Sequence, residues 1–285
     1  MVKTLHMDKN QKNIKKFVFD LDGTLLTSDK KLTPETIKQV LRLQNEGHLV
    51  FIATGRPYYM NKQILQQLEI KMPVINANGA SIYDPISKQL LFANTFARQD
   101  AQLICQILIE HQIDFLAYST TMMFGYNLHQ PKWFEKMIYS SVKNLENPYR
   151  WDYSEQNLEN EMIERDFIKF LVLAEKIDPQ ILDQALAKIA KQVPKSYFVH
   201  SQSTVVDIMP HGSNKWESVK KALAFKNLDL DNLYCFGDAY NDFEMIKNSY
   251  FGIAMGNAVQ EVKLVAKQVI DTNDNEGVAK FLVKL

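Results

Sequence analysis

Short, nearly uninterrupted apolar runs that each end in a polar turn constrain this fold more than any other feature of the chain. KFVF (16–19) leads into Asp20-Leu21-Asp22-Gly23-Thr24, LVFIA (49–53) into Thr54-Gly55-Arg56-Pro57, and PVIN (73–76) into Ala77-Asn78-Gly79. Apolar runs of this length without alternation suit strands buried on both faces, as in a parallel sheet covered by helices. Between the first two runs, Thr33-Pro34-Glu35 reads as a helix start, with Thr as N-cap and Pro at the first helical position. That helix is expected to run to Glu46, with Gly47 closing it, and another is expected from Pro57. Strand and helix thus alternate over residues 16–80, the rhythm of a parallel α/β sheet.

The rhythm changes near residue 81. SIYD and KQLLFANTF flank Asp84-Pro85 as an expected hairpin. A helix is expected over 98–111, followed by two strand-like runs, FLAYS and MMFGYN. An irregular aromatic stretch spans Gln130 to Tyr153. IKFLVLAE reads as a strand, 178–191 as a helix, and SYFVHSQ with TVVDIMP as a further hairpin. Adjacent strands joined by turns predict an antiparallel sheet with helices on one face. After Pro210 the parallel rhythm returns, with a helix over 214–225, strands at LYCFG, YFGIAM and QVID, and a terminal helix. The expected architecture is a Rossmann-like parallel core, residues 1–84 and 211–285, interrupted by an inserted α+β module over 85–210. The polar, Lys-rich residues 1–14 are expected to fray.

Composition removes several classes of function. The chain has 285 residues, 46% hydrophobic, enough apolar material for a core and against global disorder. Lys+Arg and Asp+Glu both number 33, without the basic excess of a nucleic-acid-coating protein. No apolar run approaches the roughly 20 residues of a membrane span, and the N-terminus lacks the apolar stretch of a signal peptide. Cys105 and Cys235 sit in apolar runs and read as buried free thiols. Together these features predict a soluble cytoplasmic protein that binds neither nucleic acid nor membrane.

In an open parallel sheet, ligands bind beyond the carboxyl ends of the strands. The residues expected there are Asp20, Asp22 and Thr24, then Thr54 and Arg56, then Asn76 and Asn78, with Lys215 opening the returning helix and Asp238, Asn241 and Asp242 after LYCFG. Clustered carboxylates repel one another, and a hard divalent cation supplies the reason to gather them. Magnesium takes oxygen ligands from one or two carboxylates, water and phosphate. Thr54 and Lys215 then suit phosphate oxygens that do not touch the metal. Asp20 suits a nucleophile facing phosphorus. Asp22, two residues on, suits a proton donor to the leaving oxygen that later activates water.

Taken singly, each motif has an ordinary structural reading. Asp-Leu-Asp-Gly-Thr and Thr-Gly-Arg-Pro are also common turns, and a lone Lys215 is also a solvated helix residue. The first motif fails as a calcium loop, with Leu25 at its sixth position and Lys31 at its twelfth. GIAMGNA lacks the dinucleotide glycine spacing, and no P-loop or His-Glu-x-x-His motif occurs. The order and context of the set carry the argument.

That set resembles the four motifs of the haloacid dehalogenase superfamily: Phe17–Leu25 (FVFDLDGTL), Thr54–Arg56, Lys215 and Gly237–Asp242 (GDAYND). The likeness is greatest to its Cof-type phosphatases, which carry a large cap between the second and third motifs. Asn78-Gly79-Ala80, AMGNA (254–258) and NEGVA (275–279) resemble further landmarks of that branch. The resemblance implies that Asp20 becomes an aspartyl-phosphate and that Asp22 is the general acid/base. It implies that Asp20, the main-chain carbonyl of Asp22 and Asp238 hold Mg2+, with Asn241 and Asp242 completing or orienting that shell. It also implies that Thr54 and Lys215 bind the phosphoryl group with help from Arg56. One departure is Trp216, where relatives usually carry Gly after the motif lysine.

The expected function is hydrolysis of small-metabolite phosphomonoesters. Sugar phosphates are the class the resemblance favours, with pyridoxal phosphate or a flavin nucleotide also open. Asp22 argues against dehalogenation, where no alcohol oxygen needs a proton, but not against a phosphomutase. A non-catalytic phospho-acceptor or metabolite sensor needs only about 120 residues and no inserted module. Selectivity is expected from the insert, with Tyr126, His129 and Trp133 of MMFGYNLHQPKW as candidates and cap-core packing as their ordinary alternative.

Overall fold

The computed structural model describes residues 14–285 apart from 133, 144–145, 156–157, 159–164 and 203–204. Strand β1 (Lys16–Phe19) is followed by helix α1 (Pro34–Asn45), β2 (Leu49–Ile52), α2 (Lys62–Gln67), β3 (Val74–Asn76), β4 (Ser81–Asp84) and β5 (Gln89–Ala93). The second part comprises α3 (Arg98–Glu110), β6 (Phe115–Ser119), β7 (Met123–Tyr126), β8 (Tyr153–Ser154), β9 (Phe167–Leu173), α4 (Pro179–Gln192), β10 (Ser196–Gln202) and β11 (Val205–Pro210). The chain then returns through α5 (Lys215–Phe225), β12 (Leu233–Gly237), α6 (Phe243–Asn248), β13 (Phe251–Ala254), α7 (Gln260–Val265), β14 (Gln268–Val269) and α8 (Gly277–Leu282). Among the described residues, no helix is long and apolar enough to cross a membrane.

The core sheet has the order β14-β13-β12-β1-β2 and is parallel throughout. The apolar runs make it so: Phe17, Val18, Phe19, Val50, Phe51, Ile52, Cys235 and Phe236 are all buried in one cluster with α1 and α5. Helix α1 starts where its residues dictate, with Thr33 Oγ1 accepting the Thr36 N–H at 3.2 Å. Its chain leaves through Gly47, whose φ of 87° only glycine adopts freely. Cys105 and Cys235 are both buried.

The third apolar run departs from expectation. β3 does not extend the parallel sheet as a full strand. It pairs antiparallel with β4, and β4 with β5, and it meets β2 only through a single parallel bridge, Ala53 to Ile75. Three residues are too few for a full crossover strand, and the hairpin around Asp84-Pro85 captures its other edge. The helix expected from Pro57 is a 3-10 turn at Tyr58–Met60 followed by the six-residue α2. Leu91 and Phe92 of β5, beyond residue 85, pack against the core cluster, whereas Phe96 belongs to the insert. The chain therefore crosses between the two layers near Asn94, whose Nδ2 donates to His211 O at 2.9 Å and Ser213 Oγ at 2.8 Å in the returning turn between β11 and α5.

The insert is a sheet of order β10-β11-β9-β6-β7-β8, antiparallel except for the β7–β8 pair. Strand alternation divides its side chains between two faces. Phe115, Ala117, Phe124, Phe170, Val172, Val206 and Ile208 pack with Ile104, Leu108, Ala185 and Ile189 of α3 and α4. Leu116, Tyr118, Met123, Leu171, Val205 and Met209 pack instead with Tyr59, Ala77 and Ala80 of the core. The sheet is thus a cap whose bare face lies on the core.

Two charges break the apolar pattern on that face. Lys169 Nζ pairs with Asp207 Oδ2 at 2.8 Å, both buried, and donates to the main-chain oxygen of Gly55 in the core at 3.1 Å. Asp207 Oδ2 also accepts from Asn78 Nδ2 at 2.8 Å. Removing one member of a buried pair strands the other charge, at about 3–5 kcal/mol, whereas replacing both is far milder. Lys169→Met is expected to lose about that much in denaturant unfolding, and the double variant Lys169→Met/Asp207→Leu markedly less. Equal losses would show that the pair is not coupled.

Candidate active site

All the motif residues meet at the carboxyl edge of the core sheet, beneath the cap, and all but one come from the loops that follow its strands. Asp20 follows β1, where its N–H donates to Phe236 O at 3.1 Å and fixes the strand end. Asp238 follows β12 and packs over Gly23, where a Cβ would stand 2.3 Å from its carboxylate and where φ is 86°. Glycine at 23 is therefore required twice, by conformation and by contact. The AMGNA segment buttresses this loop: Asn257 Nδ2 donates to Gly23 O at 2.9 Å. Lys215 is the exception in origin. It arrives on the first turn of α5, a helix capped by Asn214 Oδ1 accepting from Glu217 N–H at 2.7 Å.

Asp20, Asp238 and Asp242 each offer one oxygen, all within 4.8 Å of one another. Lys215 Nζ reaches Asp20 Oδ1 at 2.7 Å and Asp242 Oδ1 at 2.6 Å, with lysine and both carboxylates buried. The other oxygen of Asp242 accepts the N–H groups of Asp238 and Ala239 at 2.9 and 3.1 Å. Asp242 thus orients both the lysine and the loop that carries Asp238. Trp216 turns into the core cluster and leaves the Lys215 ammonium on these partners.

Burial, only partly offset by Lys215 and reinforced by Asp242, pushes Asp20 up to about 7. Burial followed by repulsion from Asp20 and Asp242 pushes Asp238 up to about 8. One lysine does not compensate three clustered carboxylates, and the donor set, all hard oxygen, fits a divalent cation such as Mg2+. Burial alone lowers Lys215, but Asp20 and Asp242 outweigh it and hold the ammonium charged.

Asp22 behaves differently. Its side chain points away from the carboxylate cluster, accepting from Arg56 Nε and Nη2 at 2.7 Å each, with Lys30 Nζ at 2.9 Å. Burial would raise this carboxyl, but Arg56 and then Lys30 hold it well below the usual range. The side chain of Asp22 is therefore not placed as a metal ligand, because two cations claim both its oxygens. Arg56 correspondingly binds Asp22 in this arrangement. Thr54 is fully buried, with Oγ1 accepting the Arg56 N–H at 3.2 Å. Asn241 Nδ2 donates to Asn78 Oδ1 at 2.9 Å, linking the Asp238–Asp242 loop to the Asn78–Asp207 contact with the cap. Asn76 is structural, joined to Asn61 at 3.2 Å.

A cavity of about 550 Å3 lies over these groups, walled by Asp20, Asp22, Arg56, Asp238 and Asn241 from the core and by Tyr118, Lys132, Lys169, Leu171, Glu175 and Asp207 from the cap. Two expected selectivity residues do not face it. Tyr126 stands on the helix side of the cap sheet, with its ring 5.7 Å from that of Phe115, because alternation along β7 turns it away. The imidazole of His129 is taken by Asp114, Nδ1 to Oδ2 2.9 Å, which also accepts the N–H groups of Leu128 and His129. Trp133 lies outside the described residues. The cap residues missed in the sequence, Lys169 and Asp207, did leave a signal: each is a lone charge in a strand otherwise apolar, FIKFLVL and VVDIM.

Known proteins match this chain nearly end to end. Residues 17–282 match the haloacid dehalogenase-like hydrolases. A 5-amino-6-(5-phospho-D-ribitylamino)uracil phosphatase of Bacillus subtilis is 28% identical over 270 residues, covering 92% of this chain and 94% of the relative. A pyridoxal phosphate phosphatase of Escherichia coli is 28% identical over 274 residues, covering 92% and 95%. The crystal structure of a haloacid dehalogenase-like hydrolase from Bacteroides thetaiotaomicron superposes with a TM-score of 0.82 at 24% identity, covering 95% of this chain and 99% of that one. The chain belongs to the haloacid dehalogenase-like hydrolases, in their Cof-type phosphatase branch, and is a phosphoric monoester hydrolase.

Proposed function

We propose that this protein is a Mg2+-dependent phosphatase of small-metabolite phosphomonoesters that works through an aspartyl-phosphate on Asp20. The observation that carries this reading is the cluster of Asp20, Asp238 and Asp242 oxygens within 4.8 Å, beside the buried Lys215. Asp20 and Asp238, with the main-chain carbonyl of Asp22, would hold Mg2+, which would neutralise phosphate charge and keep the carboxylates ionised. Asp242 orients that group through Lys215 and the Asp238 loop.

In the first half-reaction a carboxylate oxygen of Asp20 attacks phosphorus, and the bond to the leaving oxygen breaks. Asp22 protonates that oxygen as it leaves. In the second, Asp22 takes a proton from water, the water oxygen attacks phosphorus, and the acyl phosphate bond breaks to release phosphate and restore Asp20. Thr54 and Lys215 hold the phosphoryl oxygens. The Arg56 and Lys30 contacts favour ionised Asp22, the form required in the second half. Proton delivery in the first half requires Asp22 to leave them, so Arg56 serves as the resting partner of the acid/base group.

The lid formed by the cap and the 550 Å3 cavity support a substrate of metabolite size. Relatives that act on pyridoxal phosphate and on a phosphoribitylamino uracil support phosphorylated cofactors and their precursors beside the sugar phosphates expected from sequence.

With p-nitrophenyl phosphate and Mg2+, Asp20→Asn is expected to lower kcat by a factor on the order of 10^3 or more. Phosphate release that survives this change sinks the nucleophile. With a hexose phosphate as substrate instead, transfer of the phosphoryl group to another sugar position without net release sinks the hydrolase reading. Metal binding has a separate readout. Mg2+ at about 100 times its Kd is expected to stabilise the folded protein by about 2.7 kcal/mol in thermal unfolding, and Asp238→Asn is expected to erase the effect. An unchanged Mg2+ response in Asp238→Asn contradicts the assigned site.

A further inference from the structure

We infer that the cap rim of the catalytic cavity selects a zwitterionic leaving group, one that carries both an ammonium and a carboxylate, as an amino-acid alcohol does. This inference rests on the phosphatase reading and names the substrate class of the same site. Most charged side chains that wall the cavity already have an ion partner. Asp20 pairs with Lys215, Asp22 with Arg56 and Lys30, and Lys169 with Asp207. Asp238 belongs to the carboxylate cluster that suits the metal. Two charges remain, Lys132 and Glu175, both on the cap and both exposed. Neither side chain has an ion pair or hydrogen bond among the described residues, and the two do not pair with each other.

The loops that carry these two charges are held to one another. Lys132 follows β7 and Glu175 follows β9. Asp114, itself buried, accepts the N–H groups of Leu128 and His129 at 2.6 and 3.1 Å and meets the His129 ring at 2.9 Å. Lys176, next to Glu175, donates from Nζ to the main-chain oxygens of His129 and Gln130 at 2.8 and 3.3 Å. The two loops are thus tied together beside the two unpaired charges, so that ordering them costs a ligand little. A cation and an anion on one rim that do not neutralise each other form a dipole, and a ligand with the opposite dipole complements it. An anionic leaving group alone meets Glu175 as a like charge, and a cationic one alone meets Lys132 as a like charge. A zwitterion turns its carboxylate to Lys132 and its ammonium to Glu175. Met60, Leu171 and Val205 add apolar wall, which suits a short hydrocarbon stem between the phosphate and the two charges.

Four esters of similar carbon frame separate the charges of the leaving group. O-phospho-L-serine carries both, 3-phosphoglycerate only the carboxylate, phosphoethanolamine only the ammonium, and glycerol 3-phosphate neither. With Mg2+, kcat/KM for O-phospho-L-serine is expected to exceed that for each single-charge ester about fivefold, the upper range for an exposed ion pair, and that for glycerol 3-phosphate by at least as much. Glu175→Gln is expected to abolish the preference for O-phospho-L-serine over 3-phosphoglycerate and to keep its preference over phosphoethanolamine. Lys132→Gln is expected to do the converse. A merely structural role does not give this crossed pattern, since a distorted rim lowers all four esters together. Glycerol 3-phosphate turned over as well as O-phospho-L-serine by the wild-type protein, or a parallel fall on all four esters in either variant, overturns the assignment. Failure of the phosphatase reading looks different: the wild-type protein then releases phosphate from none of the four esters and none from p-nitrophenyl phosphate. Calorimetric binding to the same protein with Mg2+ still reports on the rim. Tighter binding of O-phospho-L-serine than of glycerol 3-phosphate supports the assignment, and equal binding overturns it.

Discussion

The buried ammonium of Lys215 between Asp20 and Asp242 is the interaction on which the rest of this structure depends. It lies at the meeting point of three chain segments far apart in sequence, β1, β12 and the start of α5. Even with the Lys215 ammonium beside them, burial and mutual repulsion push Asp20 and Asp238 above the usual carboxylate range. The lysine compensates part of the charge and leaves a remainder that a divalent metal suits. The parallel sheet supplies the geometry, because all its strands deliver their carboxyl ends to one edge.

The cap is tied to that edge by a second set of charges. Lys169 grips the main chain of Gly55, between Thr54 and Arg56, while Asp207 holds Asn78, and Asn78 holds Asn241 beside Asp242. Movement of the cap is therefore felt by the loops that carry Thr54, Arg56, Asn241 and Asp242. Asn78 sits at φ 53°, a left-handed conformation that asparagine tolerates better than most residues. There it faces Asp207 of the cap and Asn241 of the core at once. This arrangement gives a physical role to Asn78-Gly79-Ala80, which sequence alone marks only as a landmark.

Much of the fold and site is legible in the sequence because short-range physics controls it. The apolar runs 16–19, 49–52 and 233–237 have no stable place except a sheet covered on both faces. Thr33-Pro34 and Gly47 bound α1 through capping and a positive φ. The acids after these strands then fall at one edge by topology. The run at 74–76 was less legible: its composition suits a parallel strand, but pairing with β4 is a competition between edges that only the folded chain resolves. Tyr126 and His129 misled for a related reason. An aromatic-rich stretch reveals apolar content but not which face of a sheet each side chain takes, and a one-residue step in register reverses that face.

By itself, then, the amino-acid sequence determined the alternation of buried strands and helices, the insertion of one layer into another, and the identity of the acids and the lysine. These follow from residue type, spacing and chain order. Tertiary structure alone decided that Asp22 rests on Arg56 and Lys30 rather than in the carboxylate cluster, and that Lys169 and Asp207, not Tyr126 and His129, face the core. It also decided that Lys132 and Glu175 stand unpaired at the rim of the catalytic cavity. Each of these depends on side-chain direction and on contacts between residues tens of positions apart or more. No local pattern encodes them, because they are fixed only when the two layers pack.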